Sequence, residues 1–469
     1  MAYLKEELPY DKTSAGSIWQ YSKGILGKTL RECALAKDIE TIGGKGSLGD
    51  MVEELYFYLE NNNRPEPDFV EAGLELKCTP LKKGARDQLL VKERLVCGMI
   101  DYIEEAGKDF EHSHFYVKCR LMLLLFYLHV ARVNQLDLEF LYSVLWKLPE
   151  KDLLIIRHDY EIIHDKIVNG LAHTLSEGDT MYLAACRKGA KGSDTTKQYN
   201  SDIPAPTRAF SLKTAYMRTI LEYVQNSGQY AICNFEIEAS EEVVSKEELS
   251  THSFDEIILS RFQPYLGKEY SELAEELNVD ISRCPKNLFA TISSAIASKK
   301  QHFNVNKSDE FLKAGLMMKT IRVQANDTIK EAMAFENIDY QEVYDNENWF
   351  DSRLYEIFSN RFLFVVFKEQ TQGQGDYVLD NVFFWTMPQQ DLEGASEYWE
   401  HIRKNVLANH IDHQYFWKEG DDKVFHVRPK ARDREDLTDN PNGGKCKKFC
   451  YWFNNSYVRQ IVNDNSKKQ

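Results

Sequence analysis

The 469-residue chain contains no apolar stretch long enough to cross a bilayer. Its longest, Leu121 to Ala131, is eleven residues including His129, which suits a buried strand instead. The amino terminus, Met1-Ala2-Tyr3-Leu4-Lys5-Glu6-Glu7, has mixed charge and lacks the apolar core of an export signal. A cytoplasmic protein with no membrane partner is therefore expected. Nine cysteines are scattered without a CxxC pair, and Cys446 and Cys450 have no partner pair at zinc spacing. That points to reduced thiols rather than a disulfide framework or a zinc ribbon. His112, His114, His158 and His164 lack a further ligand at suitable spacing and read as ordinary histidines. The P-loop pattern is missing too, which removes the usual phosphate cradle of a nucleotide-driven motor. Nor is there a positive balance of charge: the chain carries −15. Residues 226–256 hold eight acidic side chains and one basic, so nearly half of that charge sits in one short segment. The flanks are close to neutral, and overall charge neither supports nor excludes a nucleic-acid partner.

What is present is a chain too long for one typical core, with 43% hydrophobic residues, material enough for two. Its organising stretch is Pro67-Asp68-Phe69-Val70-Glu71-Ala72-Gly73-Leu74-Glu75-Leu76-Lys77. Leu74, Leu76 and Cys78 alternate with Glu75, Lys77 and Thr79, the period of a half-buried strand. Residues two apart share a strand face, so Glu75 and Lys77 project together, and Asp68 can meet them across a turn eased by Gly73. Two carboxylates and an ammonium converging suit a hard cation and the water it activates. The same spacing also occurs in ordinary surface strands, so it does not decide the matter alone.

The surrounding text does more. Gly44-Lys45-Gly46-Ser47-Leu48-Gly49-Asp50-Met51-Val52-Glu53, then Gly73-Leu74-Glu75-Leu76-Lys77-Cys78-Thr79-Pro80-Leu81, resembles the MutH-like restriction endonucleases. That family joins the mismatch-repair nicking enzyme MutH to restriction enzymes that cut at GATC. Further blocks follow in the same order: Tyr116-Val117-Lys118-Cys119-Arg120, Asp159-Tyr160-Glu161 opening a helix, Tyr182-Leu183 to Lys188, and Arg208-Ala209-Phe210-Ser211-Leu212-Lys213. The resemblance covers residues 25–225.

It implies an α/β fold, a restriction-endonuclease-like mixed sheet flanked by helices. It also implies a type II restriction endonuclease that hydrolyses double-stranded DNA at GATC with Mg²⁺, in a restriction-modification system. By that resemblance Asp68, Glu75 and the backbone carbonyl of Leu76 hold the metal. Lys77 orients or deprotonates the attacking water, with an ammonium pKa depressed beside the metal. Glu53 holds a second metal or positions Lys77, and its neighbour Glu54 lies about 100° further around a helix. Lys118 contacts the scissile phosphate. Lys188, with Arg187 nearby, reads a base, and Ser211 (where MutH has tyrosine) and Lys213 follow on the next element. Lys82, Lys83, Arg86 and Lys191 are cast as phosphate contacts. The alternatives are a mismatch-repair nicking enzyme and a non-catalytic DNA-binding regulator on a nuclease-derived fold.

In coarse outline, Ser47 caps a helix through Met51, Val52 and Leu55, and residues 89–102 fit a strand or a helix. Asp159 to Leu171 reads as a helix and Met181 to Cys186 as a strand. Residues 1–225 form the catalytic domain, 226–256 an acidic linker and 257–469 a second domain. Beyond the linker the same text recurs. Glu310-Phe311-Leu312-Lys313-Ala314-Gly315-Leu316-Met317-Met318-Lys319 parallels Asp68 to Lys77, and Val427-Arg428-Pro429-Lys430 parallels the segment ending at Lys188. A tandem duplication follows. In this alignment Glu75 becomes Met317, Asp68 becomes Glu310 and Lys118 falls against Ser359. The second copy thus loses the catalytic carboxylate pair yet keeps Arg428 and Lys430, groups suited to DNA. The expectation is a monomeric pseudodimer whose second copy is a DNA-binding, effector-like arm for a second site, with dimerisation on DNA left open.

Overall fold

The computed structural model describes residues 8–34, 47–60, 65–84, 87–188, 194–227, 230–232, 242–280, 287–329 and 332–466. Arg86 and Lys191, cast above as phosphate contacts, lie outside the described residues. The chain divides into two compact units, Met1–Ala239 and Ser240–Gln469. Residues 242–256, part of the acidic segment, carry internal structure: Val243, Val244, Leu249 and Phe254 are buried. Among the described residues no helix is long and apolar enough to cross a membrane.

In the first unit, α1 (Leu48–Leu55) starts from a reciprocal cap between Ser47 and Asp50 and buries Leu48, Met51, Val52 and Leu55. Strand β1 (Glu75–Lys83) is followed by β2 (Leu89–Val91) and β3 (Leu95–Met99), so the stretch 89–102 resolves largely into strand. A short helix, α2 (His114–Cys119), capped by Ser113, leads directly into β4 (Leu121–Leu128). Met122 to Phe126 are wholly buried, which explains why this strand is apolar on both faces. Strand β5 (Phe140–Lys147) precedes α3 (Glu150–Val168). That helix begins nine residues before Asp159, because Pro149 with Glu150 and Asp152 supplies a good helix start. Asp159 therefore does not open the helix but lies in its middle. Strands β6 (Leu183–Arg187) and β7 (Arg208–Leu212), helix α4 (Thr214–Ser227) and β8 (Tyr230–Ile232) complete the unit. The main sheet has the order β8-β5-β4-β1-β2, with β1 parallel to β4 and β5 antiparallel to it. A second sheet, β3-β7-β6, is antiparallel.

The second unit repeats this frame. Helix α5 (Leu288–Ser298) and α6 (Asp309–Ala314) precede β9 (Met317–Val323) and β10 (Met333–Asn337). Helix α7 (Arg353–Ser359), capped by Ser352, runs to β11 (Arg361–Glu369) and β12 (Tyr377–Thr386). Then come α8 (Gln389–Leu407), β13 (Phe425–Pro429) and β14 (Phe449–Phe453). Its sheets are β9-β11-β12 and β10-β14-β13, again with the first pair parallel. Each unit is thus a mixed sheet flanked by helices, used twice. Among the described residues β9 has no neighbour on the side where β1 pairs with β2.

Candidate active site

Sheet register explains why distant residues meet. Glu75 pairs across the parallel β1–β4 ladder with Met122, three residues beyond the end of α2. The last turn of that helix carries Lys118 to the head of β1. Glu75 is completely buried, and its Oε1 accepts from Lys77 Nζ at 2.6 Å and pairs with Lys118 Nζ at 3.1 Å. Its Oε2 is buried without a hydrogen-bond partner.

Asp68 reaches the same place through a tight loop. Phe69 and Leu74 exchange two backbone hydrogen bonds, 3.0 and 3.3 Å long. Gly73 turns the chain between them at φ +60°, where an added Cβ would stand 3.2 Å from an Arg120 guanidinium nitrogen. The Leu76 N–H then donates to Asp68 Oδ2 at 2.8 Å, fixing that carboxylate beside β1. Glu53, on α1, completes the group.

The acids crowd one another. Burial, and next the charge of Glu75, push the Asp68 carboxyl up to about 6. Burial, then Asp68 and Asp50, push Glu53 up to about 8. Burial pulls the Lys77 ammonium down, but Glu75, Cys119 and Asp68 together outweigh it and hold that group above its ordinary value. The ion pair stabilises the charged lysine, and the expected depression concerns the lysine beside a bound cation.

Do these residues fit a divalent cation? The donors are hard carboxylate oxygens, Glu75 Oε2 is an orphaned buried acceptor, and the Asp68 and Glu53 carboxyls are short of positive charge. They fit. Among the described residues, however, no three His, Cys, Asp or Glu side chains already form a ligand cage. A cation here would have to draw Glu75 partly away from its two lysines.

The remaining candidates separate. Arg187 ends β6 and Lys188 follows it, both half-buried, apart from the carboxylate group in sequence and element. Ser211 and Lys213 are internal: Ser211 Oγ donates to the Ala184 carbonyl at 3.4 Å and Lys213 Nζ to the Thr180 carbonyl at 2.6 Å. Asp159 is a structural acid whose carboxylate accepts from the N–H groups of Met181, Tyr182 and Leu183, at 2.6, 2.6 and 2.9 Å. It ties α3 to the start of β6.

The second unit corrects two positions of the alignment. Met318, the counterpart of Leu76, donates its N–H to Asn306 Oδ1 at 2.7 Å, and Asn306 Nδ2 returns a bond to the Met318 carbonyl at 3.2 Å. Asn306 therefore does what Asp68 does in the first unit. Glu310 is instead buried on α6, where it accepts from the Val243 and Val244 N–H groups. The cause is local: the loop before β1 is one 3-10 turn, whereas α6 inserts a longer helix before Gly315. Ser308 capping α6 was the available sequence signal, and Asn306 was missed because the fixed offset passed over it. Counting from the helix caps Ser113 and Ser352, Lys118 falls against Ile357 rather than Ser359. Ile357 is buried. Helix α5, which packs against β9 as α1 packs against β1, has no acidic residue. The carboxylates and Lys118 are absent from the second copy, and Lys319 survives.

Comparison with known proteins follows the same division. The family model of the DNA mismatch repair enzyme MutH matches residues 57–159 and again 300–395. The DNA mismatch repair protein MutH of Yersinia enterocolitica is 26% identical over 45% of this chain and 94% of its own length. That of Shewanella woodyi is 25% identical over 45% of this chain and 93% of its own. The type II restriction enzyme Sau3AI of Staphylococcus aureus is 32% identical over 94% of this chain and 97% of its own. Likeness to a restriction enzyme along nearly the whole chain, with the MutH pattern met twice, shows that this chain belongs to the MutH-like type II restriction endonucleases, site-specific deoxyribonucleases.

Proposed function

We propose that the enzyme cuts both strands of duplex DNA at GATC with Mg²⁺, in the cytoplasm, as the nuclease of a restriction-modification system. The observation that carries the catalytic part is Glu75: a buried carboxylate with two lysines on one oxygen and no partner on the other, beside an Asp68 pinned to the same strand. GATC is supported by the resemblance to MutH-like enzymes.

Asp68, Glu75 and the Leu76 carbonyl would hold the Mg²⁺, with Glu53 behind them for a second ion or for Lys77. When bound, the ion lowers the pKa of a water and offsets charge at phosphorus. Lys77 Nζ orients or deprotonates the attacking water. Lys118 Nζ, one-fifth exposed, contacts the scissile phosphate. Lys188 and Arg187 read guanine edges in the major groove. In the second unit Arg428 and Lys430 bind DNA without cutting it, which makes the molecule a monomeric pseudodimer able to hold a second site. Cutting of both strands is favoured over single-strand nicking because the full-length likeness is to a restriction enzyme.

Unmethylated plasmid should be digested with Mg²⁺, with EDTA, and by Glu75→Ala protein. Discrete fragments that end at GATC, absent from both controls, are expected. Nicked circles alone would replace this reading with the mismatch-repair one, and binding without cleavage would replace it with a regulatory one.

A further inference from the structure

Lys77 of β1 is held by an acid; its counterpart Lys319 on β9 is not. Position 317 is methionine, and among the described residues no ion pair reaches Lys319 or Lys430. Lys319 Nζ donates instead to the Ala334 carbonyl at 2.9 Å, and Lys430 Nζ donates to the next carbonyl of the same strand, Phe335, at 3.1 Å. Two ammoniums therefore hang from consecutive carbonyls of β10. Lys319 also lies 5.1 Å from the Phe335 ring centroid. The nearby acid, Glu336, is engaged by the Arg353 guanidinium, whose Nε donates to it at 2.9 Å.

Neighbouring like charges of this kind repel unless an anion joins them. Each ammonium has three donors: Lys319 gives one to its carbonyl, and Lys430 gives one to its carbonyl and a second to Cys450 Sγ at 3.7 Å. The repulsion is felt: burial, then the charge of Lys430, pull the Lys319 ammonium down to about 8. The place is open to a ligand. Lys430 is exposed, and Lys319 lines a cavity of about 500 Å³ with Thr320 and Arg322 of β9, Gln324 just beyond it and Tyr377 of β12. Arg428, on the same segment as Lys430, sets its guanidinium 5.5 Å from the Trp452 ring centroid.

We infer that Lys319 and Lys430 form a clamp for one backbone phosphodiester of DNA, at the position in the second unit where the first unit holds the bond it cuts. The clamp rests on the reading that the second unit binds DNA. Loss of the Glu75 counterpart changes the strand lysine from one partner of a carboxylate into one jaw of an anion site.

The test uses the full-length chain with Glu75→Ala, so that duplex is bound and not consumed. Calorimetric titration with a short GATC duplex is repeated across a salt series for Lys319→Met, Lys430→Met and Lys430→Gln. Two duplexes per chain are expected. Each substitution should lower the slope of log affinity against log salt for one of them by about 0.9, the loss of one phosphate contact. Melting curves with unchanged cooperativity confirm that the variants fold. One duplex per chain would overturn both the reading and the clamp. Two duplexes with unchanged slopes would overturn the clamp alone. Displacement of a duplex by millimolar inorganic phosphate at constant ionic strength would assign the pair to a free anion and not to DNA.

Discussion

At the head of β1 the first unit buries a carboxylate against two lysines; at the head of β9 the second unit places a thioether beside a single lysine. The strands around these two points are the same: a parallel pair, an antiparallel neighbour and a capped helix feeding the central strand. The frame therefore does not depend on the chemistry it carries. Even the loop-closing bond to the strand survives, made by Asp68 in one unit and by neutral Asn306 in the other. Loss of charge without loss of the bond separates what holds the loop from what holds a cation.

The largest effect should come from the acids themselves. Glu75→Ala should lower cleavage by ~10³-fold or more, because a hard ligand worth several kcal/mol of charge stabilisation is removed. Adding Met317→Glu and Asn306→Asp to that protein should restore nothing, since α5 offers no acid and Ile357 stands in the place of Lys118. Recovered plasmid cutting would show that the second copy lacks only two oxygens.

Next in size is the pair of loop-closing residues. Asn306→Ala should cost the second unit about 1–3 kcal/mol, the penalty for leaving the Met318 backbone groups unpaired. Cleavage of one-site DNA should be unchanged. Asp68→Asn should keep the melting curve and lose cleavage. Equal losses of activity in the two variants would contradict the separation of roles.

The shared turn should behave alike in both copies. Gly73→Ala and Gly315→Ala place an L side chain at φ +60° and +65°, at a cost of about 1–2 kcal/mol each in denaturant melts. The smallest effect is a pH dependence. Glu53 has a folded pKa of about 8 against an ordinary 4.5, so the folded state binds the extra proton. In EDTA the first unit should therefore lose stability as pH rises from about 4.5 to about 8. Glu53→Gln should flatten that decline across the same window. A variant more sensitive to rising pH than the parent would have the wrong sign.

Much of this was legible in the chain. The period of Leu74, Leu76 and Cys78 marked β1, the apolar run from Leu121 marked β4, and Ser47 marked the start of α1. Strand period and the turn at Gly73 also brought Asp68, Glu75 and Lys77 together, whereas Glu53 and Lys118 were readable only through resemblance, because Lys118 joins by a parallel register no local pattern encodes. Asn306 was hidden by an inserted helix that a constant offset could not see. Burial was hidden as well: Ser211, Lys213 and Asp159 look like surface polar groups, and each is spent on backbone atoms inside the first unit.

The central claim is that one nuclease fold keeps its cation and the other has given it up. Manganese binding to the full-length chain in the presence of GATC duplex, followed by electron paramagnetic resonance, tests it directly. The wild-type chain should hold Mn²⁺ tightly, and Asp68→Asn with Glu75→Gln should abolish all of that binding. Tightly held Mn²⁺ remaining in the double variant would place an ion in the second unit and contradict the account.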